Sequence, residues 1–167
     1  MEKIGVFYGT TGGRTEAVVK KLQNFFPNNE CEFFDVAKGI SEIKNFNNII
    51  LATPSYGAGE VQDDWAGNLS DLESLDLSDK TFALIGVGDQ YSFGAFYVGG
   101  LRELYNILEN KEAHVVGFTE NSGYEFDDSP AIKDNKFVGL VIDDSFTCDE
   151  VLKRMSAWVQ EIKKEFK

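Results

Sequence analysis

The residues best suited to do chemistry lie near the start of the chain, in Gly9-Thr10-Thr11-Gly12-Gly13-Arg14-Thr15. Lys3-Ile4-Gly5-Val6-Phe7-Tyr8 before them reads as a buried strand, and the stretch from Glu16 to Phe26 reads as a helix. Where a strand ends and a helix begins, backbone N–H groups lack helical partners and the helix dipole adds partial positive charge. Such a place suits a phosphate. Glycines let the backbone close on an anion, and the threonines offer hydroxyls. The plain alternative is a strand-to-helix turn with an N-cap threonine. The loop lacks the Gly-Lys-Ser/Thr ending of triphosphate sites and the Gly-x-Gly-x-x-Gly spacing of dinucleotide sites. One terminal phosphate therefore fits it best. Arg14, at the start of a helix, is expected to be solvated.

The elements that must position this loop alternate along the chain. Cys31 to Val36 reads as a strand, Ser41 to Asn45 as a short helix, and Asn48 to Thr53 as a buried strand. A helix is expected near Gln62 to Leu72, and another buried strand over Thr81 to Val87. Leu101, Leu104, Tyr105 and Leu108 recur at helical spacing and mark one face. Ala113 to Phe118 and Phe137 to Ile142 are further strand candidates. Thr147-Cys148-Asp149-Glu150 is a capping box opening a helix whose stripe runs from Val151 through Met155 and Trp158 to Phe166. Apolar strands between amphipathic helices predict an α/β fold: a doubly wound, five-stranded parallel sheet with helices on both faces.

Composition narrows the function. With 167 residues, 43% of them hydrophobic, the chain can bury a core as one domain over 1–167. Cys31 and Cys148 make no disulfide framework, and with His114 they make no recognisable metal site. Cys148 in the first turn of a helix is expected to be an ordinary reduced thiol. No apolar run is long enough to span a bilayer and no leader is evident, so the expected setting is the cytoplasm. The net charge of −12 argues against nucleic acid, which needs a basic patch. Acidic pairs such as Asp63-Asp64, Asp127-Asp128 and Asp143-Asp144 suit a partner with a basic face, or serve solubility alone.

In such a sheet, ligands bind beyond the carboxyl ends of the strands. Besides the first loop, Thr53-Pro54-Ser55-Tyr56-Gly57-Ala58-Gly59 and the run from Gly88-Asp89 to Phe96-Tyr97 belong there. Their aromatics suit a flat ring held between two faces. A phosphate tail and a flat ring together point to flavin mononucleotide (FMN).

Phe7-Tyr8-Gly9-Thr10 with the following glycines and Thr15, the run from Thr53 to Trp65, Gly86-Val87-Gly88-Asp89-Gln90, Gly123-Tyr124-Glu125-Phe126 and the run from Lys136 to Asp143 resemble the flavodoxins of the long-chain group. The resemblance covers nearly the whole chain. It implies a segment near 120–136 that splits the fifth strand. It implies non-covalent FMN and one-electron traffic between larger redox enzymes, such as a flavodoxin reductase, by a monomeric carrier that is not itself an enzyme. By that likeness Thr10, Thr11, Gly12, Gly13, Arg14 and Thr15 surround the phosphate. Thr53, Pro54 and Ser55 flank the ribityl chain, with Asp143 near its hydroxyls. Tyr56 covers one ring face and Phe93 the other, with Tyr91 a competitor. Gly57, Ala58, Gly88, Asp89, Phe96 and Tyr97 complete the site, and Trp65 packs beside it. The Gly57–Ala58 peptide is expected to turn over on reduction. Gly12, Phe93 and the run from Gly94 to Tyr97 depart from the usual family pattern.

Two rivals share the fold or the cofactor. A phosphoacceptor signalling domain needs clustered aspartates at the end of the first strand, where this chain has Tyr8-Gly9-Thr10. A quinone-reducing flavoenzyme needs a nicotinamide pocket, and nothing in a chain of this length suggests one.

Overall fold

Parallel pairing follows from the apolar runs. In the computed structural model, which describes residues 1–56 and 58–167, β1 (Ile4–Tyr8) lies between β2 (Cys31–Asp35) and β3 (Asn48–Tyr56). β3 also pairs with β4 (Glu60–Val61), antiparallel at its end, and with β5 (Thr81–Gly88) in parallel, giving the main order β2-β1-β3-β5-β10, where β10 is Leu140–Asp143. Two-residue periodicity divides the strand side chains between two cores. Phe7, Leu51 and Leu84 face one layer; Val6, Ile50 and Ile85 face the other. The first layer is completed by Trp65 of α2 (Asp63–Ala66), Leu72 of α3 (Leu69–Ser74) and Leu101 and Leu104 of α4 (Gly100–Asn110). The second is completed by Val18 and Val19 of α1 (Arg14–Lys20) and Met155 and Trp158 of α5 (Cys148–Ile162). Thr147 caps α5 by accepting from Glu150 N at 3.2 Å.

The fifth strand is split. Both β6 (His114–Val116) and β10 pair in parallel with β5, the first along Thr81–Ala83 and the second along Ile85–Gly88. Between them β7 (Thr119–Glu120), β8 (Ile132–Lys133) and β9 (Lys136–Phe137) form a small antiparallel sheet in the order β7-β9-β8. Glycines make the split possible. A Cβ on Gly139 would stand 2.3 Å from the Leu84 carbonyl oxygen, and Gly117 holds φ +79°.

Several elements are shorter than the pattern predicts. The helix expected to reach Phe26 is α-helical only to Lys20 and then 3₁₀ over Lys21–Asn24, ahead of Pro27, which disfavours the α conformation in the residue before it. The segment Ser41–Asn45 is also 3₁₀. The helix expected over 62–72 breaks between α2 and α3, where the Asn68 side-chain amide donates to the carbonyls of Val36 and Asp64. The strand expected over 137–142 is interrupted at Val138-Gly139.

Candidate functional site

The carboxyl ends of β1, β3, β5 and β10 open on one cleft. β1 runs into the threonine loop, where Gly9 N donates to Ala52 O at 3.0 Å. A Cβ on Gly9 would stand 2.2 Å from Gln62 Oε1 and 2.6 Å from Trp65 Cδ1. Only a glycine allows so close a passage. Gln62 Oε1 caps α2 through Asp64 N and Trp65 N, while its amide donates to Asp64 Oδ2 and reaches Thr11 Oγ1 at 3.4 Å. The loop is thus braced from behind. The N-cap of α1 is Gly13 at φ +85°, with no side-chain cap among the described residues, rather than a threonine. Thr10 Oγ1 instead accepts from Gly13 N at 3.0 Å and tightens the turn. The first turn of α1 therefore meets the cleft with its N-terminus open to an acceptor from outside.

The walls come from the other two loops. Pro54, Ser55 and Tyr56 end β3 and line one side; Val87, Gly88, Asp89 and Phe93 line the other. Ser55 Oγ accepts from Gly100 N at 2.9 Å, which ties this wall to the start of α4. Asp89 Oδ1 accepts from Tyr91 N and Ser92 N, each at 3.0 Å. Those bonds, the contact with Ser92 first, hold the half-buried Asp89 carboxyl below the usual range. The two loops approach through glycines: a Cβ on Gly99 would lie 2.6 Å from Gly59 O.

Carboxylates dominate the rim. Arg14 Nε lies 2.7 Å from Asp144 Oδ1, so this guanidinium is paired as well as half-exposed. Burial raises the Asp144 carboxyl; Arg14 opposes that shift, and Asp89 and Asp143 reinforce it. The cleft encloses about 230 Å³, below the roughly 300–1,000 Å³ of enclosed small-molecule sites. A ligand anchored in it keeps an edge in solvent.

The flavodoxin family model matches residues 6–158. The chain belongs to the flavodoxin family. It is 40% identical to a flavodoxin of Helicobacter pylori over 99% of each chain, and 32% identical to one of Nostoc sp. over 99% of this chain and 98% of that one. Among solved structures, Fusobacterium nucleatum flavodoxin bound to flavin mononucleotide superposes with a TM-score of 0.94 at 40% identity, covering 100% of each chain.

Of the residues that family likeness singles out, the fold brings Thr10, Thr11, Gly12, Arg14, Thr15, Pro54, Ser55, Tyr56, Gly88, Asp89 and Phe93 to the cleft. It does not bring them all. Gly13 shapes the turn as the N-cap of α1 and is exposed outside the lining. Thr53 is fully buried, its hydroxyl donating to Pro54 O at 2.8 Å. Ala58 and Phe96 are exposed outside the lining, and Tyr91 is 65% exposed beside it. Tyr97 and Asp143 lie below the surface, 0% and 1% exposed, bonded to each other at 2.9 Å. Gly57, and with it the Gly57–Ala58 peptide, lies outside the described residues. Trp65 is buried and its indole donates to Ala52 O at 2.8 Å, a packing role.

Val87 and Asp144 also line the cleft; the sequence placed them in a family-like run and an acidic pair without assigning either to the site. The available signal for Asp144 was alternation, since neighbours at a strand end face opposite sides. With Asp143 turned inward, Asp144 is left for the rim. Among the described residues no cluster of metal-ligating side chains occurs, and no helix is long and apolar enough to cross a membrane.

Proposed function

We propose that this chain is a low-potential electron carrier that holds FMN without a covalent bond and moves single electrons between larger redox enzymes. The observation that carries the reading is the meeting of the uncapped, glycine-shaped start of α1 with two aromatic walls in one shallow cleft. The residues present fit the group. Among the described residues, a Cβ built on Gly12 meets nothing within 4 Å, so the threonine loop has open space beside it. Backbone N–H groups of the loop and the hydroxyls of Thr10, Thr11 and Thr15 would hold the phosphate. Pro54 and Ser55 would border the ribityl chain, and Tyr56 and Phe93 would flank the ring. Bound FMN supplies the redox chemistry.

The protein's part is to bind, orient and set the field. Asp89, Asp143 and Asp144 near the cleft, in a chain of net charge −12, oppose added negative charge there. That opposition favours a low potential for the last electron. An open cleft leaves an edge accessible to a partner, and the acidic rim suits a basic docking face, such as that of a flavodoxin reductase. We read the carrier as a cytoplasmic monomer of one domain, and not an enzyme. The test is a reductive titration of the purified yellow protein with a potential readout, alongside FMN binding by the protein stripped of flavin. Two well-separated one-electron steps are expected. A protein that binds no FMN, or takes both electrons at one potential, refutes the reading.

A further inference from the structure

One oxygen atom holds both ends of the loop that carries Phe93. Gln90 N donates to Asp143 Oδ1 at 2.7 Å, and Tyr97 OH donates to the same oxygen at 2.9 Å. Both ends of the span 90–97 therefore close on Asp143. Its other oxygen accepts from Ser145 N at 2.9 Å and Ser145 Oγ at 2.6 Å. Two of these donors are backbone N–H groups, one to each oxygen, so the carboxylate acts as an acceptor on both sides. It needs no ligand to satisfy it.

The inserted segment supports the same loop. Gly94 O accepts from Asp127 N at 2.8 Å and Asp128 N at 3.0 Å. Tyr97 N donates to Asp128 O, and Ser129 Oγ donates to Tyr97 O. The Tyr97 ring stacks on Phe126 with centroids 5.3 Å apart. Directly after the clasp, Val98 holds φ +48°, a strained conformation for a β-branched residue. Its side chain is 2% exposed and lies over Gly86 and Gly88, so packing retains the strain. Phe93, by contrast, is 49% exposed. Its placement depends on the backbone that carries it.

We propose that Asp143 and Tyr97 are positioning residues, a buried clasp that fixes the Phe93 loop as the outer wall of the cleft, and not ligands of the cofactor. The inference rests on the FMN reading for its functional consequence. Its structural content stands alone.

Two variants test it. Tyr97→Phe removes one of the two bonds to Oδ1 and keeps the ring. Asp143→Asn alters both sides, because an amide NH₂ facing Ser145 N sets donor against donor. Three readouts are taken: FMN affinity, inorganic phosphate affinity of the flavin-free protein, and amide hydrogen exchange. Tyr97→Phe should weaken FMN binding by about tenfold, the scale of a lost bond to a charged acceptor. Phosphate affinity should stay within about twofold, since the threonine loop is braced separately by Gln62. Exchange should accelerate in residues 90–97 and not in α1. Asp143→Asn should show the same pattern, larger. Equal losses for FMN and phosphate, or exchange that quickens everywhere, would mean general loosening and overturn the clasp. Unchanged FMN affinity and unchanged exchange would also overturn it. A parent protein that binds phosphate but no FMN overturns the FMN reading instead, and exchange in 90–97 still decides the clasp.

Discussion

Alanine at Gly9 and alanine at Gly12 should act oppositely although both lie in the threonine loop. A Cβ at Gly9 meets Gln62 Oε1 at 2.2 Å, and an ordinary contact begins at 3.4 Å, so this oxygen must retreat by 1.2 Å. It is not free to do so. It accepts from Asp64 N at 3.1 Å and Trp65 N at 3.2 Å, and Trp65 itself is fully buried. Losing the cap of α2 costs about 0.5–2 kcal/mol, and forcing a methyl into a packed site costs about 1–3 kcal/mol. Part of the strain is relieved by the same movement, which leaves roughly 2–4 kcal/mol out of the ~5–15 kcal/mol of a typical domain. At a urea slope of about 2 kcal/mol/M the midpoint falls by roughly 1–2 M. At Gly12 the built Cβ meets nothing within 4 Å among the described residues, and φ lies outside the left-handed region. Alanine there is expected to be neutral, or to stabilise by up to ~1 kcal/mol through the unfolded chain. The assay is urea unfolding of the flavin-free proteins by far-ultraviolet circular dichroism and tryptophan fluorescence, Trp65 standing at the clash. A Gly9→Ala midpoint within about 0.2 M of the parent would refute the packing argument.

Replacing Arg14 by Gln should change FMN affinity by less than about tenfold, because its half-exposed pair with Asp144 is worth at most ~1 kcal/mol; Thr15→Val should cost more, and a hundredfold loss from Arg14→Gln, read by fluorescence titration, would reverse that ranking. Asp144 adds a pH dependence. Its folded carboxyl is raised, chiefly by burial, so its contribution to stability is full below the ordinary value of about 3.9 and is lost as pH rises through the raised value. The stability of Asp144→Asn relative to the parent should therefore improve as pH climbs from that window towards neutrality, and a difference constant with pH would contradict it. Second-order electron transfer with a basic reductase should slow as salt rises, since screening confines the attraction to about 10 Å at 0.1 M; stopped-flow rates that stay flat with ionic strength would remove the acidic-docking model.

Local pattern determined a great deal here. Apolar runs beginning at Ile4, Asn48 and Thr81 dictate buried parallel strands, because strands covered on both faces must be apolar throughout. The glycine–threonine loop between β1 and α1 marks the cleft for a similar reason: the termini of two regular elements leave donors that local sequence reveals. Thr147 and Glu150 announced the start of α5, a bond between residues in one turn. Tertiary structure decided what depends on distant partners. Whether Arg14 is solvated or paired turns on Asp144, which the fold brings to 2.7 Å from across the chain. Whether Asp143 and Tyr97 meet a ligand or each other turns on the docking of β10 beside β5. The requirement for glycine at position 9 comes from Gln62 and Trp65, and at 139 from Leu84. Residue type and spacing reveal the periodicity of an element and the groups left over at its ends. Which side of a strand end faces a cleft, and what stands behind it, is set by packing between segments remote in sequence, and only the assembled sheet specifies that.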